Sequence, residues 1–171
     1  MSVDLEFRLL KSDSMESTAQ MDVVFVEGVI IESPLFLLST KQACNLCAKE
    51  NLVAAIATQH LVDEEIEPEE DDGFLLCYIE EMPSVLMAEV LKLHPNFELR
   101  DSLTAGQTYW MSTCECGGHY GDHYVQKNLF SKIAYEPETV TAQRLNFEGK
   151  LTLPCGYSQG SATGEFLAKL I

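Results

Sequence analysis

Two short stretches decide the fold of this chain: Cys44-Asn-Leu-Cys47 and Cys114-Glu-Cys116-Gly-Gly-His119, which are separated by 66 residues. In a Cys-x2-Cys pair a tight turn presents two sulfurs on one side, close enough to share a metal ion. The second pair has one intervening residue instead of two, and its two following glycines supply the permissive backbone angles that a metal-binding turn needs. The spacing predicts one zinc ion held by four thiolates, those of Cys44, Cys47, Cys114 and Cys116.

Other interpretations of the cysteines remain open at this point. A competing zinc site draws on a single loop, with the ligands Cys114, Cys116, His119 and His123. That set leaves the first Cys-x2-Cys pair without a purpose. Cysteines are also common in protein cores, and this is the interpretation expected for Cys77 and Cys155, which have apolar or proline neighbours.

Two segments resemble a group of uncharacterised bacterial zinc-ribbon-like proteins: residues 41–56 (KQACNLCAKENLVAAI) and residues 109–124 (YWMSTCECGGHYGDHY). That group pairs Cys-x2-Cys and an apolar strand with Tyr-Trp, a second Cys-x2-Cys-Gly and a Gly-Asp-aromatic tail. The resemblance implies that the same four cysteines bind the metal. It also implies scaffold positions for Tyr109, Trp110, Gly121 and Asp122. This chain departs from the pattern in its shortened Cys-x-Cys and in His123, which replaces the aromatic residue.

The charge of the chain restricts its partners. It has 27 acidic and 11 basic residues, for a formal net charge of −16. Such a surface repels nucleic acid phosphates, so we expect no direct nucleic acid binding and instead a basic protein surface, such as that of a nucleic-acid-binding protein or a toxin. The asymmetry is strong, because residues 1–100 carry 20 acids and 6 bases whereas residues 101–171 carry 7 and 5.

Composition and hydropathy predict a cytoplasmic protein with no membrane segment. No apolar run reaches the length of a membrane-spanning helix, and residues 1–30 carry acids throughout in place of a basic stretch followed by an apolar one. In a reducing compartment six cysteines are better explained as metal ligands or buried thiols than as disulfides.

The chain length and the hydrophobic pattern predict one domain, residues 1–171, with an α+β fold of mostly antiparallel strands around a zinc-ribbon-like four-cysteine site. An acidic loop is predicted at residues 62–73, with a turn at Ser33-Pro34. The strands are predicted at residues 3–10, 23–31, 52–61, 74–79, 108–113, 122–130 and 144–153. One or two helices are predicted, at residues 83–93 and from about Glu165 onward.

These patterns favour a non-enzymatic, zinc-stabilised acidic module that binds a basic protein, in the manner of an inhibitor or immunity-type protein. The alternatives are an enzyme with dispersed catalytic residues near His119 and His123, and a zinc-thiolate redox switch. A Gly-x-Ser-x-Gly sequence occurs at residues 156–160, but no histidine follows it to complete a hydrolase triad. We therefore interpret that stretch as a glycine-rich turn.

Overall fold

Antiparallel strands form most of the α+β fold in the computed structural model, which describes residues 24–25, 28–63, 67, 69 and 71–171. Within that part of the chain there are nine strands and three α-helices. The strands are β1 (Val24–Phe25), β2 (Val29–Ala43), β3 (Glu50–Val62), β4 (Gly73–Cys77), β5 (Phe97–Ser102), β6 (Gln107–Ser112), β7 (Thr141–Arg144), β8 (Lys150–Leu153) and β9 (Gly156–Gly160). The helices are α1 (Ser84–Leu93), α2 (Asp122–Tyr135) and α3 (Ser161–Ala168). None of these helices is long and apolar enough to cross a membrane.

The long hairpin of β2 and β3 is the centre of the larger sheet, whose strand order is β1-β9-β4-β3-β2-β7. On the side of β2 that faces away from β3, β8 pairs with the first part of the strand and β7 pairs with its later part. Strands β5 and β6 form a separate two-stranded sheet. The β2–β3 hairpin ends at the first cysteine pair, and β6 leads into the second, so both cysteine stretches leave the ends of strands.

The larger sheet is buried on both faces. Leu35 and Leu37 of β2 pack in one apolar cluster with residues of α1, whereas Phe36 and Leu38 pack in a second cluster with residues of α2 and α3. Successive side chains of a strand point to opposite faces, so a sheet covered twice requires continuous apolar runs. This explains why β2 and β3 carry such runs instead of an alternating pattern.

Several sequence predictions agree with these elements. The predicted helix at residues 83–93 is α1, and Pro83 immediately precedes its first turn. The strands predicted at residues 52–61, 74–79 and 108–113 correspond to β3, β4 and β6. The fold class is confirmed at the level of an α+β protein with mostly antiparallel strands. The strand predicted at residues 3–10 lies outside the described residues.

The strand predicted at residues 122–130 is wrong, because this segment begins α2. The buried side chains of α2 include Val125, Leu129 and Ile133, which recur every four residues and therefore lie on one face of a helix. The sequence prediction treated the segment as a strand that leads out of the second cysteine cluster, and it overlooked this spacing. Because of α2, the described chain has three α-helices where one or two were expected. The last of them, α3, begins at Ser161 instead of near residue 165.

Three other boundaries differ from prediction. Ser33-Pro34 lies inside β2, at an irregularity in its pairing with β3, and not in a turn. The late strand predicted at residues 144–153 is a strand only at its two ends: Arg144 is the last residue of β7, and residues 150–153 form β8. The segment between them bends and ends at Gly149, whose φ is 108°. The stretch at residues 156–160 is the strand β9, which pairs with β4 inside the sheet. Its central Ser158 is buried and donates a hydrogen bond to Gln126, so it is not an exposed nucleophile.

The acidic block, residues 63–72, joins β3 to β4, and hydrogen bonds hold the residues at its two ends. Asp63 accepts a hydrogen bond from the hydroxyl of Tyr157, and Asp72 is buried and accepts one from the backbone N–H of Glu69. At Gly164 of α3, an added Cβ would lie 1.8 Å from the carbonyl oxygen of the neighbouring Asp71. The last residues of the block therefore pack directly against α3.

Candidate metal centre

The structure brings the four predicted cysteines together. Their Sγ atoms all lie within 4.8 Å of one another, with 3.6 Å between Cys44 and Cys116 and 3.7 Å between Cys47 and Cys114. Four sulfurs placed about 2.3 Å from one ion at the corners of a tetrahedron are about 3.8 Å apart. The separations also far exceed the length of a disulfide bond, about 2.05 Å. The cluster therefore has the size of a closed four-thiolate metal site.

Each cysteine pair sits in a turn that is closed by two backbone hydrogen bonds. In the first turn the N–H of Cys44 donates to the carbonyl of Lys49 (2.9 Å), and the N–H of Ala48 donates to the carbonyl of Cys44 (2.8 Å). Ala48 has a φ of 59°, the left-handed conformation that a tight turn of this kind demands. This turn directs both of its sulfurs toward the second pair.

The second turn uses the same scheme with one residue fewer. The N–H of Cys114 donates to the carbonyl of Gly118 (2.7 Å), and the N–H of Gly117 donates to the carbonyl of Cys114 (2.9 Å). Gly117 has a φ of 90°, and a Cβ added to Gly118 would lie 2.8 Å from the sulfur of Cys44. The two glycines therefore have separate reasons to be there: one bends the turn, and the other leaves room for a sulfur of the opposite turn.

Backbone N–H groups change the acidity of the thiols. Hydrogen bonds from the backbone of Leu46 and Cys47 lower the pKa of Cys44 to about 6. The backbone of Cys116 lowers the pKa of Cys114 in the same way. At Cys116 the backbone N–H of Gly118 acts to lower the pKa, but the hydrogen bonds with Cys47 and Cys114 outweigh it and raise the value to about 12. Four thiolates this close repel one another, and a cation among them relieves that repulsion.

Neighbouring side chains tie the two turns together. The side-chain amide of Asn51, on β3, donates to the sulfur of Cys114 (3.2 Å) and to the hydroxyl of Tyr120 (2.8 Å). Lys49 and Glu115, one on each turn, form an exposed ion pair at 2.5 Å. The pKa of Lys49 is raised by its hydrogen bond and charge attraction to Glu115, and further by the charges of the nearby thiolates. Hydrogen bonds and charges around ligands of this kind orient them and tune a metal site.

The competing ligand set is not assembled. Within the described residues, the four cysteines form the one group of His, Cys, Asp and Glu side chains whose ligand atoms are close enough for a metal ion. His119 and His123 are exposed and lie outside that group. Cys77 of β4 and Cys155, which lies between β8 and β9, are both buried, as expected for core cysteines. Burial is the main cause that raises the pKa of each.

Beyond the cysteines, Asp122 is the most perturbed polar group near the site. Its carboxylate accepts a hydrogen bond from the backbone N–H of Tyr78 (2.6 Å), and its own N–H donates to the hydroxyl of Tyr109 (3.4 Å). Burial raises the pKa of Asp122 to about 7, and the hydrogen bond from Tyr78 opposes this effect. Sequence reasoning placed Tyr109 and Asp122 in the scaffold only by resemblance and assigned no role to Asn51 or Tyr78. Their contacts bridge 13 to 69 residues of chain, so no local spacing reveals them.

Comparison with protein-family models, with curated proteins and with solved structures finds no match for this chain. The fold and the site define it as an α+β protein with a four-cysteine cluster that can hold a metal ion.

Proposed function

We propose that this protein is a non-enzymatic binding module, stabilised by a structural zinc ion, that engages a basic protein partner through its acidic surface. The observation that carries the proposal is the four-sulfur cluster, whose separations suit tetrahedral zinc and whose ligands come from two distant turns. A site closed by four thiolates leaves no position for substrate or water, which favours a structural ion over a catalytic one. A cytoplasmic setting belongs to the proposal, because the thiolates stay reduced there.

The distribution of charge supports a basic partner. Five basic side chains of the described residues form ion pairs with glutamates of the same chain: Lys49, Arg100, Lys132, Arg144 and Lys150. In the acidic block, Glu67, Glu69 and Asp71 are exposed, and none of them has an ion-pair partner among the described residues. An uncompensated negative surface steers basic proteins toward it and raises the association rate. The resemblance to zinc-ribbon-like proteins would imply a metal at the same four cysteines, and it implies nothing about the partner.

The test changes three exposed acids of the block and leaves its anchored ends intact. The variant carries Glu67→Gln, Glu69→Gln and Asp71→Asn. The matched control changes three exposed acids from the later part of the chain that also have no ion-pair partner among the described residues: Asp101→Asn, Glu138→Gln and Glu165→Gln. Both triple variants change the net charge by three, so any general effect of charge is shared between them.

A partner is first recovered from host lysate at low salt, and the association rate of the purified pair is then measured by surface plasmon resonance. We expect the block variant to slow association by about tenfold and the control by less than about threefold. Equal rates for the wild-type protein and the block variant would refute the acidic surface as the binding determinant. Equal losses in both variants would show only a general effect of charge and would contradict the assignment to this block.

A redox switch is the second candidate, and the exposure of Cys47 and Cys116 favours it. Peroxide oxidises two thiolates to a disulfide and is itself reduced to water. The loss of two thiolate ligands would release the zinc. We expect zinc release, followed with a chromogenic chelator, within minutes of adding mild peroxide and reversal by a dithiol and zinc. Retention of zinc under these conditions would exclude the switch and leave the structural role.

A further inference from the structure

A cavity of about 680 Å³ lies against the first cysteine turn. Its walls come from the end of β2 with the first cysteine turn, from the loop between β5 and β6, and from the segment that joins the second turn to α2 together with the start of that helix. Tyr78, which follows β4, and Tyr109 of β6 complete the lining. Asn45, which lies between the two cysteines of the first turn, lines it, as does Gly121 immediately before α2. The four-cysteine cluster therefore fixes one wall of the cavity relative to another.

Nearly half of the residues that line this cavity carry an aromatic ring. These six residues are Tyr78, Tyr109, Tyr120, Tyr124, His119 and His123. Tyr109 and Tyr120 are almost fully buried, and the rings of Tyr78 and Tyr109 meet edge to face at 4.9 Å between centroids. Tyr124 is 65% exposed. The inner rings are thus packed in place, whereas Tyr124 presents its ring to solvent at the edge of the cavity, edge to face with His123 at 5.3 Å between centroids.

The charge around the cavity favours a cationic occupant. Among the described residues, no lysine, arginine, aspartate or glutamate lines it, although the chain carries a net charge of −16. Asp122 holds two of the lining residues in place: its carboxyl accepts a hydrogen bond from the backbone N–H of Tyr78, and its own N–H donates one to the hydroxyl of Tyr109. An anion entering here would meet an unfavourable field with no basic side chain to bind it. A cation would meet π-faces, hydroxyl oxygens and the negative potential of the protein.

We propose that this cavity binds the guanidinium group of an arginine side chain presented by the basic partner. A guanidinium is planar and weakly hydrated, and it stacks on aromatic faces, whereas a lysine ammonium is compact and strongly hydrated. Asn45 and Tyr124 line the cavity and are exposed, and their side-chain oxygens can accept hydrogen bonds from its N–H groups. This inference rests on the proposed function, because it names the group by which the basic partner is recognised.

The test titrates the full-length, zinc-loaded protein with three acetylated and amidated tripeptides that differ only at the central residue: arginine, citrulline and lysine. Citrulline keeps the shape of arginine and removes its charge. Binding is followed by NMR through the backbone amides of Gly121 and His123, which line the cavity. We expect the arginine peptide to shift both amides and to bind at least about tenfold more tightly than the citrulline peptide. The lysine peptide should bind more weakly than the arginine peptide.

A matched pair of variants on α2 places the site. Tyr124 lines the cavity, whereas Tyr135 is also exposed and does not. Tyr124→Ala should weaken binding of the arginine peptide by at least about threefold, and Tyr135→Ala should leave it unchanged. Equal affinity for arginine and citrulline would overturn the inference in favour of a neutral planar ligand. Equal losses in the two variants, or no shift at Gly121 and His123, would overturn it as well.

The two proposals fail in different ways. If the acidic block does not recruit the partner but the cavity does bind arginine, the block variant leaves the partner's association rate unchanged while the difference between arginine and citrulline persists. If the cavity is not an arginine site, that difference vanishes while the block variant still slows association.

Discussion

The buried carboxyl of Asp122 makes the stability of this protein depend on pH in an unusual direction. Its pKa is about 7 in the folded protein, mainly because of burial, against about 4 in an unfolded chain. Between these values the folded state keeps a proton that the unfolded state has released. The free energy of unfolding therefore falls as the pH rises from 4 to beyond 7, and the stabilisation is complete only below pH 4.

The magnitude follows from the two pKa values. Each pKa unit of difference is worth about 1.4 kcal/mol, so Asp122 contributes about 4 kcal/mol across this range. The groups around the carboxyl add no opposite charge at these pH values. Cys77 and Cys155 remain neutral thiols, since burial raises the pKa of both, and Tyr78 and Tyr109 remain neutral phenols for the same reason.

The perturbation is Asp122→Asn, which keeps an oxygen for the N–H of Tyr78 and cannot ionise. The assay is urea unfolding of both proteins between pH 4.5 and 8 with zinc present. The thiolates lose their metal at low pH, and the comparison cancels this effect because both proteins have the same cysteines. The wild-type protein should gain about 3 to 4 kcal/mol relative to the variant at the acidic end. A difference in unfolding free energy that stays constant with pH would refute the assignment, and Asp101→Asn, at an exposed site, is the control.

Three further predictions concern close packing and the metal. Gly118→Ala should weaken zinc binding by about tenfold or more in a competition with a chromogenic chelator, because the added methyl group would lie 2.8 Å from the sulfur of Cys44. Gly121→Ala is the control, since its nearest neighbour would be 3.7 Å away, and equal affinities in the two variants would contradict the geometry. Cys44→Ser, or removal of zinc with a chelator, should lower the thermal midpoint of the whole chain by well over about 5 °C, because metal binding and folding are coupled; an unchanged midpoint would argue against a structural ion. Gly164→Ala should lower the unfolding free energy by about 1 to 3 kcal/mol in urea, since its Cβ would overlap the carbonyl oxygen of Asp71; a gain in stability, as helix propensity alone favours, would show that α3 does not pack against the acidic block as described.

The sequence was most informative where local patterns set the structure. The cysteine spacings identified the four residues that the fold gathers, because a tight turn fixes where two sulfurs point whatever surrounds it. The long apolar run of β3 and the proline before α1 were equally local signals. Each of these features depends on residues that are close to one another in the sequence.

Features that depend on distant partners were missed. The face of α2 is buried because β4 and its neighbours cover it, and Gln126 of that face bonds both Ser158 and the backbone of Leu75. Ser158, which lies between Gly156 and Gly160, is part of a strand because β9 pairs with β4. Nor does any local pattern reveal the cavity, whose tyrosines come from separate elements. Tertiary contacts decided these segments, and a single sequence does not display them.

We propose above that four cysteine thiolates hold one zinc ion that links two distant turns. Zinc X-ray absorption on protein purified without chelator, with zinc and protein quantified on the same sample, tests it most directly. We expect about one zinc per chain in a shell of four sulfurs at about 2.3 Å. Less than about half an equivalent of zinc, or a shell containing nitrogen or oxygen ligands at about 2.0 Å, would contradict it.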